Sequence, residues 1–296
     1  MARMARPFGQ AFKSDPFATR YRCLIGSGPP IPALGLERAI EACHRNGGFQ
    51  IWVSRRELVW AVYDQLPARE MPSIGNRPEE TSADDRLEEA EIIGRYGKCR
   101  TKGDTPFDEL VKLSKWRRLV DVPQGVAEKW YWDRVVLVGG SAHRPAPHAS
   151  LGEDTNLQSA AALVNQLHYL MQSVIEPSRQ GLMAAFQRYQ VGRGEDVKAV
   201  MALSARAAKR LSCADLGRRL LDRVAGERSE MAFIDDSMAP LCSRGLVLSF
   251  LEEANFKEGL VAWKNQPRVR GKASVKGTAS NSSDGQDWAG KETGEL

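Results

Sequence analysis

Two histidines and two carboxylates, His143, His148, Glu153 and Asp154, follow a glycine pair in the stretch GGSAHRPAPHASLGEDT, Gly139 to Thr155. Two histidines this close could hold a metal or relay a proton. Glu153 beside Asp154 could serve as acid and base in a cyclisation or isomerisation. Glycines ahead of a helix start suit a third chemistry, because uncapped amides at a helix N-terminus favour a negative or strongly accepting ligand group. No HxxxH helix and no carboxylate at ligand spacing accompanies the histidines, so a metal set is not expected. Capping is the ordinary role of an Asp in this position.

Positioning these groups requires a strand before them and a helix after them. Val135, Val136, Leu137 and Val138 form an apolar run between Arg134 and the glycines. Such a run fits a strand buried on both faces, the pattern of a parallel sheet. After the proline-containing loop, Leu157, Ala160, Ala161, Val164, Leu167, Met171 and Val174 recur at helical spacing, with Asp154 or Thr155 as the expected cap. The unit reads as strand, glycine turn, loop, helix.

The whole stretch, WYWDRVVLVGGSAHRPAPHASLGEDTNLQSAAALVN from Trp130 to Asn165, resembles the second FAD-binding motif of flavin-dependent monooxygenases of the p-hydroxybenzoate hydroxylase type. Within that superfamily it looks most like the fungal secondary-metabolite branch that includes the paxilline-pathway epoxidases. The resemblance implies FAD contacts at Gly140 and Glu153, with His143, Pro147 and Gly152 supporting the loop. It also shows departures. Gly140 stands where the family has an Asp for the ribityl and pyrophosphate part of FAD. The glycine-rich turn beside the flavin ring falls on Ser150, Leu151, Gly152 and Glu153. The family's following Asn and Asp fall on Asp154 and Ser159. A carboxylate at Glu153 is expected to intrude where glycine lets backbone approach a ligand.

The 296 residues, 42% of them hydrophobic, suffice for a sizeable core, and a net charge of +5 with scattered basic residues reads as solvated helix faces rather than a nucleic-acid surface. Cys23, Cys43, Cys99, Cys213 and Cys242 are odd in number and lack a CxxC pair, which points to a reducing compartment. No apolar leader or run of membrane-spanning length is read. A cytoplasmic protein without a membrane span, at most peripheral to membranes, is expected.

Along the chain, Tyr21–Gly26 reads as a strand, and Phe49–Val53 with Leu58–Tyr63 as an antiparallel hairpin. Trp52, Trp60 and Tyr63 are expected in the core or the substrate wall. Gly26-Ser27-Gly28 opens no dinucleotide fingerprint, because Pro29-Pro30 follows where a helix would have to start. Helices are expected over 86–94 and 107–113, then beyond the central helix with stripes through Leu182, Ala185, Phe186, Tyr189 and through Val197, Val200, Met201, Ser204, Ala207, Ala208, Leu211, continuing to Leu216, Leu220, Leu221 and Val224. FLEEANFKEGLVAWKNQP resembles the family's closing segment. The family's FxxYxxxRxxxV pattern falls on Phe186, Tyr189, Arg193 and Val197.

The fold expected is α/β (α+β), the C-terminal half of a flavin monooxygenase fold: antiparallel substrate-domain strands, one Rossmann-type strand-loop-helix and C-terminal helices. Expected divisions are a flexible tail over 1–16, a partial substrate-binding sheet domain over 17–130, a remnant of the FAD-binding domain over 131–190, a C-terminal helical region over 191–266 and a disordered tail over 267–296. The family's N-terminal GxGxxG unit has no counterpart before residue 17, which suggests an N-terminally shortened chain, one completed by another polypeptide or a second copy, or a relict fold. The implied function is FAD-dependent oxygen insertion, as epoxide or hydroxyl, into a polyketide or terpenoid, with NAD(P)H as reductant. The alternative is a cofactor-free pseudo-enzyme, a cyclase, isomerase or binding protein of such a pathway.

Overall fold

The computed structural model describes residues 16–67, 83–212, 234–251 and 261–265. The expected tails (apart from residue 16), most of the polar connector after Pro67, the stripe from Leu216 to Val224 and much of the closing segment lie outside the described residues.

Strands β1 (Phe17–Gly28), β2 (Arg38–His44), β3 (Gly47–Val53) and β4 (Leu58–Gln65) are followed by helix α1 (Ala83–Tyr96). The short strands β5 (Arg100–Lys102) and β6 (Thr105–Pro106) lead into α2 (Phe107–Leu113). Next come β7 (Trp116–Val126), β8 (Tyr131–Trp132), β9 (Val135–Val136) and β10 (His143–Arg144). Two long helices follow, α3 (Gly152–Ser173) and α4 (Arg179–Leu211). Six strands form one sheet in the order β10-β7-β1-β4-β3-β2, and all its pairings are antiparallel.

Alternation of side chains along the strands gives this sheet two covered faces. Leu24, Phe49, Ile51, Trp60 and Val62 face one way and pack on Ile92 and Tyr96 of α1 and Phe107 and Leu110 of α2. The Trp60 indole reaches Ser114 Oγ at 3.0 Å and packs so closely across the ladder that only glycine fits at Gly26. Tyr21, Cys23, Ala61 and Tyr63 face the other way, against Ala146 and the end of α4 at Ala208 and Leu211. The β3–β4 hairpin, α2 and the core placement of Trp60 and Tyr63 agree with the sequence reading. Trp52, expected in the core or the substrate wall, is 39% exposed and lies outside the core.

The greatest departure is the Val135–Val138 run. Val135 and Val136 pair antiparallel with Trp132 and Tyr131 in a small two-stranded sheet, through a turn in which Asp133 adopts φ 53°. All four apolar residues are half-buried. A run of β-branched residues records what its side chains bury, not which strand its backbone pairs with; among the described residues no parallel neighbour is present. The strand still precedes the glycine turn and α3, and Val136, Leu137 and Val138 pack against Ala162, Leu163, Phe186 and Tyr189.

Helix α3 departs in two ways. Leu151 is its N-cap and no side chain caps it, with Glu153 and Asp154 in the first turn, so the expected Asp154 or Thr155 cap is not formed. The face turned to α4 is Thr155, Ser159, Ala162 and Leu163. Leu157, Val164, Met171 and Val174, expected to be buried, are exposed. Small polar residues win the inner face because they let α3 and α4 approach closely and hydrogen-bond to what lies beneath.

Candidate functional site

The loop between β9 and α3 is held by both layers. Residues His143 and Arg144 pair with Val126 and Gly125 on the edge of the large sheet, and the Ala127 amide donates to the Ala142 carbonyl at 2.7 Å. From the helical side, the face carrying Phe186, Tyr189, Arg193 and Val197 is buried, and the Tyr189 hydroxyl donates to the Leu137 carbonyl at 3.3 Å. Four residues spaced along one helix face thus grip the strand and the loop together.

Within this frame Gly139 adopts φ 56°, and a Cβ there would meet the Asn156 side chain at 2.9–3.0 Å. The glycine is required twice, for conformation and for space. At Gly140 an added Cβ would have only Asn156 Nδ2 near it, at 4.0 Å, so a side chain has room. Its carbonyl accepts from Arg144 Nε at 2.7 Å, and Ser141 Oγ accepts from the Val138 amide at 2.9 Å. Asn156 Oδ1 is buried beside this turn without a hydrogen-bond partner.

Pro147 opens a short 3-10 turn ending at Ser150, which adopts φ 54°. Serine therefore occupies a left-handed position of the kind glycine favours, so the glycine-type turn survives with a different side chain. Gly152 is the first residue of α3 and has open space around its Cβ direction. Glu153 is exposed on the first turn. Gly140, Pro147, Gly152 and Glu153 thus lie along one loop and helix start, whereas His143 is buried behind it.

His143 is fully buried, with Nε2 2.8 Å from Ser159 Oγ. Arg193 Nε donates to the same oxygen at 3.5 Å. Because a guanidinium can only donate, the Ser159 oxygen accepts from Arg193, and its hydroxyl links the imidazole to the guanidinium. Burial, helped by the Arg193 charge, lowers the His143 pKa to about 4. His148 is wedged between the Tyr21 and Tyr63 rings at 4.8 and 4.2 Å, and burial lowers its pKa to about 4 as well. Both rings are neutral near pH 7 and act as structural pins. Among the described residues no hydrogen bond or ion pair links Glu153 or Asp154 to either histidine, and no three His, Cys, Asp or Glu side chains are grouped to hold a metal.

What the arrangement offers chemically is a set of groups on the loop and helix start that a ligand could meet. It comprises a glycine turn open to approach, the unpartnered acceptor Asn156 Oδ1 and the uncapped N-terminus of α3, whose dipole favours an electron-rich ring edge or an anion. These groups are of the kinds that suit the ribityl and ring side of a flavin; the other described turn with a glycine pair, Asn46-Gly47-Gly48, is packed against Tyr96 and Leu211. Sequence reading missed Asn156, a lone polar residue within an apolar helix pattern, and it recognised Ser159 only as a departure. A cleft of about 320 Å³ also opens beside the first turns of α3, between Leu151, Leu157, Arg193, Val200, Cys242 and Trp263.

No protein family known from sequence profiles matches the chain. Individual proteins do. The chain is 24% identical over 250 residues to the FAD-dependent monooxygenase DEP2 of Alternaria brassicicola, covering 83% of this chain and 46% of that protein. It is 25% identical over 186 residues to the FAD-dependent monooxygenase ausM of Penicillium brasilianum, covering 62% and 38%. To srdH of Neurospora crassa, also an FAD-dependent monooxygenase, it is 37% identical over 90 residues, covering 29% and 20%. The chain thus spans less than half the length of these relatives. Its fold is similar to that of a salicylate hydroxylase substrate complex (TM-score 0.54, 14% identity, 80% of this chain and 59% of that one). It is also similar to a Klebsiella pneumoniae HpxO variant complexed with FAD (TM-score 0.52, 16% identity, 80% and 57%). Sequence and fold agree: the chain is a homologue of the fungal FAD-dependent monooxygenases, matched over part of their length.

Proposed function

We propose that this chain serves FAD-dependent monooxygenation in fungal secondary metabolism, acting on a polyketide or terpenoid. The observation that carries this reading is the glycine turn at Gly139-Gly140 set against the bare N-terminus of α3, in a chain whose relatives are FAD-dependent monooxygenases. FAD supplies the chemistry, reduction by NAD(P)H and activation of O₂ for insertion as epoxide or hydroxyl.

The contribution of the chain is to hold and orient. With Gly139 shaping the turn, Gly140 would admit the cofactor to the backbone, Asn156 Oδ1 would accept a hydroxyl or imide proton from it, and the first-turn amides of α3 would face its electron-rich edge. His143, Ser159 and Arg193 keep the loop in place from behind. The mainly apolar surroundings of the cleft beside α3 suit a substrate of low polarity.

Titrating FAD into the purified chain tests the reading. Saturable quenching of flavin fluorescence, with anaerobic bleaching of the bound flavin by NAD(P)H, is expected. Flavin that stays free in solution at every protein concentration would count against it.

A further inference from the structure

On the face of the large sheet turned to α1, opposite the face that meets the loop, a thiol and an imidazole come together. Sγ of Cys99 lies 3.0 Å from Nε2 of His44, and both residues are half-buried. The other acceptor near the thiol, the Arg95 carbonyl, is farther off at 3.9 Å. His44 ends β2 and shares its face with Ala42 by strand alternation. Cys99 is fixed through its backbone from two sides. Its amide donates to the Tyr96 carbonyl at 2.8 Å, and its carbonyl accepts from the Phe107 amide at 2.9 Å. The Tyr96 ring stands perpendicular to the imidazole at 5.7 Å, and its own hydroxyl donates to Asp64 at 2.7 Å. A nucleophile within hydrogen-bond reach of a base, with a third group orienting that base, is an arrangement that activates a thiol.

Of the charged groups around the pair, Arg45, Lys98 and Arg100 flank it in the chain and are exposed, with Arg100 engaged by Asp104 at 2.8 Å. From α2, Asp108 lies over Gly97, and behind Tyr96 the Asp64 carboxylate is paired with Arg95 at 2.6 Å. Burial raises the Cys99 pKa, so the site does not offer a standing thiolate. The proton has to leave as the sulfur attacks, and His44 is placed to take it.

We propose that Cys99 and His44 form a base-assisted thiol site, apart from the flavin-facing loop, that a small neutral peroxide oxidises. The Cys99 sulfur attacks one oxygen of hydrogen peroxide, so that an S–O bond forms as the O–O bond breaks. The thiol proton passes by way of His44 Nε2 to the departing hydroxide, which leaves as water. Sulfur loses two electrons and becomes a sulfenic acid, and the peroxide is reduced. Cys99 borders the apolar cluster under α1 together with Ile40, Ala42 and Ile93, a setting that admits a small neutral oxidant more readily than a charged one. No step requires flavin.

The test is timed alkylation of the whole reduced chain by iodoacetamide from about pH 5.5 to 9.5, read cysteine by cysteine by peptide mass spectrometry. Cys43 and Cys242, both exposed, are the references. An imidazole ordinarily gives up its proton well below the pH at which a thiol does. The Cys99 rate is therefore expected to climb early and level off by about pH 7.5, while the reference rates keep climbing to about pH 9. At pH 7 Cys99 should react at least about tenfold faster than Cys43. His44→Gln should remove the early rise and bring Cys99 below Cys43, with a circular-dichroism melt to verify that the variant is folded. Hydrogen peroxide followed by dimedone should label Cys99 ahead of both references. A Cys99 rate in the unaltered chain that stays below the references, or climbs in parallel with them, overturns the pair whether or not the variant folds. So does a folded His44→Gln chain with an unchanged profile. Fast alkylation without a dimedone adduct at Cys99 overturns peroxide as the reagent.

Discussion

Nε2 of His143 lies 2.8 Å from Oγ of Ser159, joining the loop that carries the glycine turn to the buried face of α3. Both residues are fully buried, so neither can turn to water for a replacement partner.

Ser159→Ala removes the hydroxyl while leaving the imidazole and the Arg193 guanidinium in place. A buried polar group stripped of its partner costs about 1–3 kcal/mol. Urea denaturation should show a loss of that size with an unchanged slope. A loss below a few tenths of a kcal/mol would mean that the pair does not hold the loop.

Acid should weaken the fold through the two buried histidines. Each has its folded pKa lowered to about 4, against 6.5 for a free imidazole. Between those values the unfolded chain binds protons that the folded chain refuses. Stability from these groups is therefore complete above pH 6.5, declines as pH falls toward 4, and is flat below. The integrated effect is on the order of 3 kcal/mol per ring. Denaturation midpoints from pH 7 to 4 should show the decline, and His148→Phe, which keeps a ring between Tyr21 and Tyr63, should make it shallower. An equal slope in wild type and variant would contradict the assignment.

Three positions in the loop should respond differently to small substitutions. Gly139→Ala introduces a Cβ at positive φ against Asn156 and should cost about 1–3 kcal/mol. Gly140→Ala meets open space and should change stability by less than about 0.5 kcal/mol. Ser150→Gly relieves a left-handed non-glycine residue and should stabilise by about 0.5 kcal/mol, the strain released less the entropy glycine loses on folding. Thermal melts of the three variants check the order.

Much of this was legible in the sequence where pattern and pairing coincide. The Phe49–Val53 and Leu58–Tyr63 runs flank a short polar turn and pair as a hairpin, and α2 spans the expected residues. Strand β7 was not legible, because Arg117, Arg118, Pro123 and Gly125 interrupt the apolar pattern expected of a strand. Pro123 is tolerated there because it sits opposite Thr19, at a register shift in β1 where the ladder is already irregular. The inner face of α3 was hidden for a related reason. Thr155 and Ser159 earn burial by hydrogen bonding and close approach, properties that hydrophobic periodicity does not register. Gly140 and Glu153 could be found only from family resemblance, and Asn156 only once the Gly139 turn was seen against it.

The central claim, that this loop and helix start form one wall of a flavin site, is tested most directly by FAD affinity in two single variants of the whole chain. Gly140→Asp places a carboxylate where space is open and adds a charged acceptor, and Asn156→Ala removes the unpartnered one. Hydrogen bonds to charged groups are worth about 1.5–3 kcal/mol, and 1.4 kcal/mol is tenfold in affinity. Fluorescence titration should show Gly140→Asp binding FAD about tenfold or more tightly than wild type, and Asn156→Ala several-fold more weakly. Affinity unchanged in both folded variants would contradict the account.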